Sequence, residues 1–141
     1  MGNTQRLNRS DPETVLFTIT NAEGAQLTNG QCIEWDETAP LGVAVELTDS
    51  VAANEVCGVI VDTIDTGGIG RAQRFGYHSA VKTTTTVTLG TAVQADTSGK
   101  CRNFATSTTD LTATSASEIQ SIIGIVLLVN DTNSAGIALR L

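Results

Sequence analysis

From Thr14 onward the chain alternates with a period of two, the signature of half-buried β-strands. VLFTIT places Val15, Phe17 and Ile19 on one face and Leu16, Thr18 and Thr20 on the other. NAEGAQLTNG supplies turn residues, and its Asn29-Gly30 pair predicts a hairpin. The short strand CIEW follows. LGVAVELT then sets Val43, Val45 and Leu47 against Ala44, Glu46 and Thr48. VCGVIVDTI and IIGIVLLV are apolar on both faces, which predicts central strands. Between them, TGGIGRAQ predicts a flexible loop, RFGYHSAVK a strand, and TAVQAD and CRNFAT two strands joined by the turn TSGK. The Ser/Thr-rich stretch Thr106 to Ser117 predicts a loop, with a short helical turn started by Ser115 and Glu118 at capping-box spacing. IALRL closes the chain with Ile137, Leu139 and Leu141 inward and Arg140 outward.

Nine or ten short strands with turns every 8–12 residues describe a sandwich or barrel. The fold class is therefore all-β, a small antiparallel β-barrel or β-sandwich, and residues 13–141 read as a single β domain. Residues 1–12 differ. MGNTQRLNRSDP is polar and unpatterned, and Pro12 biases Asp11 towards an extended conformation. This segment reads as an extended N-terminal arm. GVAVELTDSVAAN from Gly42 and GIVLLVNDTNSAG from Gly124 resemble one another, which suggests two related strand–turn units.

Composition sharpens the picture. Val, Ile and Thr make up 44 of the 141 residues, and such side chains fit a pleated surface better than a helix. The apolar surplus of the two central strands exceeds what one small sheet covers, so self-association is expected. The net charge of −7 argues against the basic surface that nucleic acid requires and against docking on an anionic membrane. No apolar run approaches the ~20 residues of a membrane-spanning helix, and the polar start predicts no signal peptide. Cys32, Cys57 and Cys101 are odd in number and form no C-x-x-C pair, so free, buried thiols are expected.

Candidate chemistry is sparse. His78 is the only histidine, it lies in a strand, and no G-x-S-x-G elbow accompanies it. Glu34, Asp36 and Glu37 around Trp35 offer a carboxylate pair, and Asp62 and Asp65 precede Gly67-Gly68, but neither group has a calcium-loop pattern. The glycine run Gly67 to Gly70 lacks the Lys-Ser/Thr of a phosphate loop, and Gln73 stands where a dinucleotide fingerprint needs glycine. These residues predict no enzyme, no cofactor, no metal and no small-molecule substrate. Arg71 and Arg74, flanking the glycine run, suit a grip on a partner's carboxylates. Arg6 and Arg9 give the arm a positive charge, with Leu7 as an apolar anchor between them and Asp11 before the proline. Trp35 and Tyr77 are the residues that a sugar-stacking platform would use.

The order of segments from Glu13 to Leu141 resembles the small capsid cement, or head decoration, proteins of tailed bacteriophages. FTITNAEGAQLTNGQCIEW is similar to their opening strand, turn and second strand. LGVAVELTDSVAANEVCGVIV is similar to their G-[VI]-A-x-x-x-D-x-A-x-G-E phrase, with Asn54 in place of the usual glycine. VTLGTAVQADTSGKCRNF and IIGIVLLVNDTNSAGIALRL resemble their later hairpin and closing strand pair. The stretch Thr63 to Tyr77 is longer and richer in glycine than theirs. The resemblance implies a tulip-like, non-enzymatic virion protein. It would sit as a trimer on the outer capsid surface and stabilise contacts between major capsid protein subunits. Arg6, Leu7, Arg9, Asp11, Arg71 and Arg74 become the expected capsid-binding residues. The alternative is a phage fibre or surface recognition module that binds host glycans.

Overall fold

The computed structural model describes residues 13–38, 42–50, 56–104 and 122–141. These contain nine strands and no helix: β1 (Val15–Asn21), β2 (Cys32–Trp35), β3 (Ala44–Leu47), β4 (Val56–Ile60), β5 (Ile69–Lys82), β6 (Ala92–Asp96), β7 (Lys100–Asn103), β8 (Ile122–Asp131) and β9 (Ser134–Arg140). The sheet runs β1-β3-β2-β4-β5-β9-β8-β6-β7, and β1 also pairs with β5. That extra pairing closes the first five strands into a barrel, which leaves them no free outer strand. Only β1 and β3 run parallel; every other strand pair is antiparallel.

Two apolar cores result. One, inside the barrel, contains Ile19, Leu27, Ile33, Val45, Cys57, Ile60, Ile64 and Ala72. The other lies beneath β9, β8 and β6 and contains Cys32, Val59, Val81, Val93, Cys101, Ile123, Val126, Ile137 and Leu139. β2 and β4 serve both. Cys32 faces the second core and its neighbour Ile33 the first; Val59 faces the second and Ile60 the first. This shared wall explains why VCGVI is apolar on both faces.

β5 is long enough, at 14 residues, to join the two halves. It pairs with β1 and β4 through its first part and with β9 through its second. Between them, Val15 lies opposite Phe75 and Leu16 opposite Gln73, so Arg74 is an extra residue in a β-bulge. Gly76 follows with φ +96, where an added Cβ would lie 2.2 Å from the Glu13 carbonyl oxygen. Glycine is required there by both backbone and space. Polar ties reinforce the junction. The Thr48 hydroxyl donates to the Asp96 carbonyl at 2.7 Å, and Thr84 donates to the Asp96 carboxylate at 2.7 Å. Buried Asn21 donates to the carbonyls of Ala25 and Ile64 and accepts from the Glu23 amide.

Several sequence expectations change. TGGIGRAQ is not a flexible loop: only its first residues turn, and from Ile69 it is strand β5. Asn29-Gly30 makes no hairpin, because β1 and β2 do not pair. Gly30, with φ +87, instead links the halves: its amide donates to the Ile60 carbonyl, and its carbonyl accepts from the Lys82 amide. The related strand–turn units also diverge. β8 and β9 pair directly, whereas β2 lies between β3 and β4. The turn Thr97 to Lys100 forms as expected, with Ser98 and Gly99 both at positive φ, as a tight hairpin between β6 and β7 requires. The proposed helical turn near Ser115 and Glu118 falls outside the described residues.

Candidate functional site

The residues predicted to bind a capsid do not form one site. Arg6, Leu7, Arg9 and Asp11 lie outside the described residues. Arg71 and Arg74 sit on β5, not on a loop. Arg71 is already engaged: its guanidinium makes two bonds to the Asp62 carboxylate, at 2.8 and 2.9 Å, and its amide donates to the same group at 3.1 Å. The bidentate partner holds the Asp62 carboxyl below the usual carboxylate range. Arg74, exposed on the bulge, makes no ion pair among the described residues.

The possible catalytic groups are accounted for by structure. His78 is buried on β5. Its Nε2 meets the Ile60 carbonyl at 3.2 Å and its Nδ1 accepts from the Ala80 amide at 3.3 Å, an arrangement that uses the neutral ring. Burial pushes its pKa below the ordinary imidazole value, against a smaller opposing effect of the Ile60 carbonyl. Asp36 caps a turn by accepting from the amide and hydroxyl of Thr38, both at 2.7 Å. Asp65 accepts from Gln26 at 2.6 Å. Glu34 lies opposite Glu46 across β2 and β3 and accepts from the Asp49 amide. Desolvation, then the charges of Asp36, Glu23, Asp49 and Glu37, raise the Glu46 pKa. Even so, no cluster of three His, Cys, Asp or Glu among the described residues has the geometry to hold a metal ion. Trp35 and Tyr77 build no common platform. Trp35 packs against Phe17, ring centroids 5.9 Å apart, whereas the Tyr77 ring lies across Gly136 of β9.

What the structure does gather is an apolar outer face. Residues directly opposite in a sheet share a face. Val15 is opposite Phe75, and Phe75 opposite Arg140. In the next row Tyr77, Ala138, Ile125 and Ala92 follow one another across β5, β9, β8 and β6. Leu128 stands opposite Gly136 beyond them. Ile137 and Leu139, one residue out of phase on β9, fill the second core, so these rows point to solvent. Val15 and Phe75 are each 45% exposed and Leu128 50%. The rows contain no carboxylate and a single guanidinium, Arg140, on a chain of net charge −7. A contiguous apolar face of this kind is uncommon on a monomer and is the candidate interaction surface among the described residues. Sequence reading missed the site because its residues come from five strands. Its one visible trace was the apolar surplus of IIGIVLLV, whose Leu127 and Leu128 are exposed.

No protein-family model and no curated protein matches the sequence. Among solved structures, the chain is similar to one described as the crystal structure of head fiber gp8.5 N base in bacteriophage phi29. The match covers 91% of this chain and 95% of that one, with a TM-score of 0.57 and 10% sequence identity. At that identity, what the two chains share is the fold.

Proposed function

We propose that the chain is a structural protein of a bacteriophage head: a decoration protein that binds the outer capsid surface and stabilises contacts between major capsid protein subunits. The observation that carries this reading is the likeness to a phage head fiber base across almost the whole of both chains. The order of strand and turn phrases from Glu13 to Leu141 supports it independently. The active form is a homotrimer in which the apolar outer face packs against neighbouring copies. Chains of net charge −7 repel one another, so a contact between copies falls where carboxylates are absent, as they are along these rows. The arm of residues 1–12 then reaches the capsid. Arg6 and Arg9 pair with capsid carboxylates, Leu7 supplies an apolar anchor, Asp11 ends the segment, and Arg74 adds charge from β5, beside Arg71, whose charge is met by Asp62. A head fibre base is the second reading, favoured by the description of that structural neighbour.

Light scattering and rebinding to undecorated capsids test both parts. Phe75→Glu with Leu128→Glu should leave a folded monomer, because both side chains are already half in water. Deleting Met1 to Asp11 should leave the trimer and weaken capsid binding by a factor that shrinks as salt rises. Full capsid binding without the arm would refute the arm's role. A wild-type monomer at micromolar concentration would refute the trimer. Copies confined to fibre attachment points in micrographs of the particle would favour the second reading.

A further inference from the structure

Cys32 and Cys101 are far apart in sequence and lie on strands that are not neighbours, β2 of the barrel and β7 at the end of the sheet order. They nevertheless share the second core, each fully buried. A local device brings them together. In the turn between β6 and β7, Gly99 has φ +66, and an added Cβ would lie 2.6 Å from Leu47 Cδ2 and 3.1 Å from the Cys32 carbonyl oxygen. Only glycine lets the turn settle onto β2, where the Cys32 amide donates to the Gly99 carbonyl at 2.7 Å. Two residues on, Cys101 therefore faces the same core as Cys32. It is held from the other side by a parallel bridge to Thr83 and by the Thr84 amide, which donates to its carbonyl at 2.9 Å. Both side chains are enclosed in that one cluster, on strands tied together by the Cys32–Gly99 hydrogen bond. Cys57, in the barrel core, shares neither that core nor a cysteine partner.

We propose that Cys32 and Cys101 form an oxidisable pair, a modification site at which a disulfide fastens β7 to β2. The oxidant is a small-molecule disulfide. One cysteine thiolate attacks it and expels one small thiol, leaving a mixed disulfide. The second cysteine thiolate then attacks the protein sulfur of that intermediate and expels the other small thiol. Two protein thiols give up two protons and two electrons as one S–S bond forms, and the small disulfide is reduced to two thiols. Contact with Cys101 and burial push the Cys32 thiol well above its ordinary pKa. Both sulfurs are closed off from solvent, so a small disulfide reaches the pair only when the turn over β2 opens or the chain folds in oxidising conditions. In a reducing cytoplasm the pair stays open. This inference does not depend on the function proposed above.

The test uses the full chain, refolded from denaturant with oxidised glutathione so that burial does not limit access, then alkylated in denaturant and peptide-mapped. The expected result is loss of two of the three alkylatable thiols, one peptide linking Cys32 to Cys101, and Cys57 alkylated. The linked protein should melt about 5–10 °C higher than the same protein with dithiothreitol. Three alkylatable thiols, glutathione adducts without a Cys32–Cys101 link, or a link that includes Cys57 would each overturn the proposal.

Discussion

β4 and β8 carry almost the same message and meet different fates. Both open with two apolar residues, a glycine and two more apolar residues: VCGVI from Val56 and IIGIV from Ile122. β4 lies between two cores, so both of its faces are buried: Val59 is covered by the second core and Ile60 by the first. β8 has the second core beneath it, where Ile123 and Val126 are enclosed, but Leu127 and Leu128 emerge into solvent on its other face. A strand that is apolar on both faces thus has two physical explanations, a second layer of the same chain or a partner. Barrel closure supplies the layer for β4. For β8 the described residues supply none, and that is where the proposed contact between copies lies.

The two glycines provide the strongest test of this difference. An added Cβ at Gly124 would lie 2.3 Å from the Ala138 carbonyl oxygen, on the backbone of a paired strand. At Gly58 it would lie 2.9 Å from the Phe17 ring and 3.1 Å from the Gln73 carbonyl. Phe17 is only half-buried and its ring can shift, whereas the β9 backbone is fixed by its ladder on both sides. Gly124→Ala should therefore cost about 3 kcal/mol and Gly58→Ala about 1 kcal/mol. Urea unfolding followed by the fluorescence of Trp35, the single tryptophan, measures both. Equal losses would mean that the two glycines meet equally yielding neighbours.

Much of this contrast was legible in the sequence, and the missing part has a physical cause. Period-two alternation located the strands because each has at least one face in a core, as for Ile137 and Leu139 on β9. The Thr97 to Lys100 turn was legible because positive φ at Gly99 is a local requirement. Strand order was not, since nothing local says that β1 pairs with β3 and β5 and leaves β2 alone. Asn29-Gly30 pointed to a hairpin, yet its glycine serves a contact with β5 that forms only in the folded chain. The same limit hid the outer face and the Cys32–Cys101 contact, which join residues from different strands. Arg71 and Arg74 were recognised as cations, but the glycines before them suggested a loop, whereas the cross-strand partner Thr18 and the Asp62 carboxylate hold Arg71 on a strand.

A second, smaller effect separates the buried wall from the exposed face. Val59→Ala removes two methyl groups from a site closed on all sides and should cost about 2 kcal/mol through lost transfer energy and a residual cavity. Leu128→Ala removes more carbon from a side chain already 50% exposed and should cost under about 0.5 kcal/mol in the monomer. The same Leu128→Ala change should weaken the proposed self-association, read as a shift of dissociation to higher protein concentration. A large loss of monomer stability from Leu128→Ala would place that side chain inside the fold and remove the distinction between β8 and β4.

The smallest expected effect is in pH dependence, where the wall and the acidic strand pair β2–β3 should act with opposite sign. Burial lowers the His78 pKa below its ordinary 6.5. On acidification the unfolded chain takes up its proton near 6.5, and the folded chain only at lower pH. Between those points unfolding binds a proton, so stability is complete above 6.5 and falls as the pH drops towards the folded value. Glu46 behaves in reverse. Desolvation and neighbouring carboxylates raise its pKa above 4.5, so the folded chain binds its proton first. Stability from this group is complete below 4.5 and is lost as pH rises through the folded value. His78→Gln keeps an amide to meet the Ile60 carbonyl and should abolish the fall below 6.5. Glu46→Gln should make the protein slightly more stable at neutral pH and erase the gain on acidification. Glu46 is only partly covered by its strand neighbours, so its change should be the smaller of the two. Urea midpoints measured across the acid range for the wild type and both variants decide this. An unchanged slope below 6.5 in His78→Gln would show that the buried ring does not set the acid response of the wall.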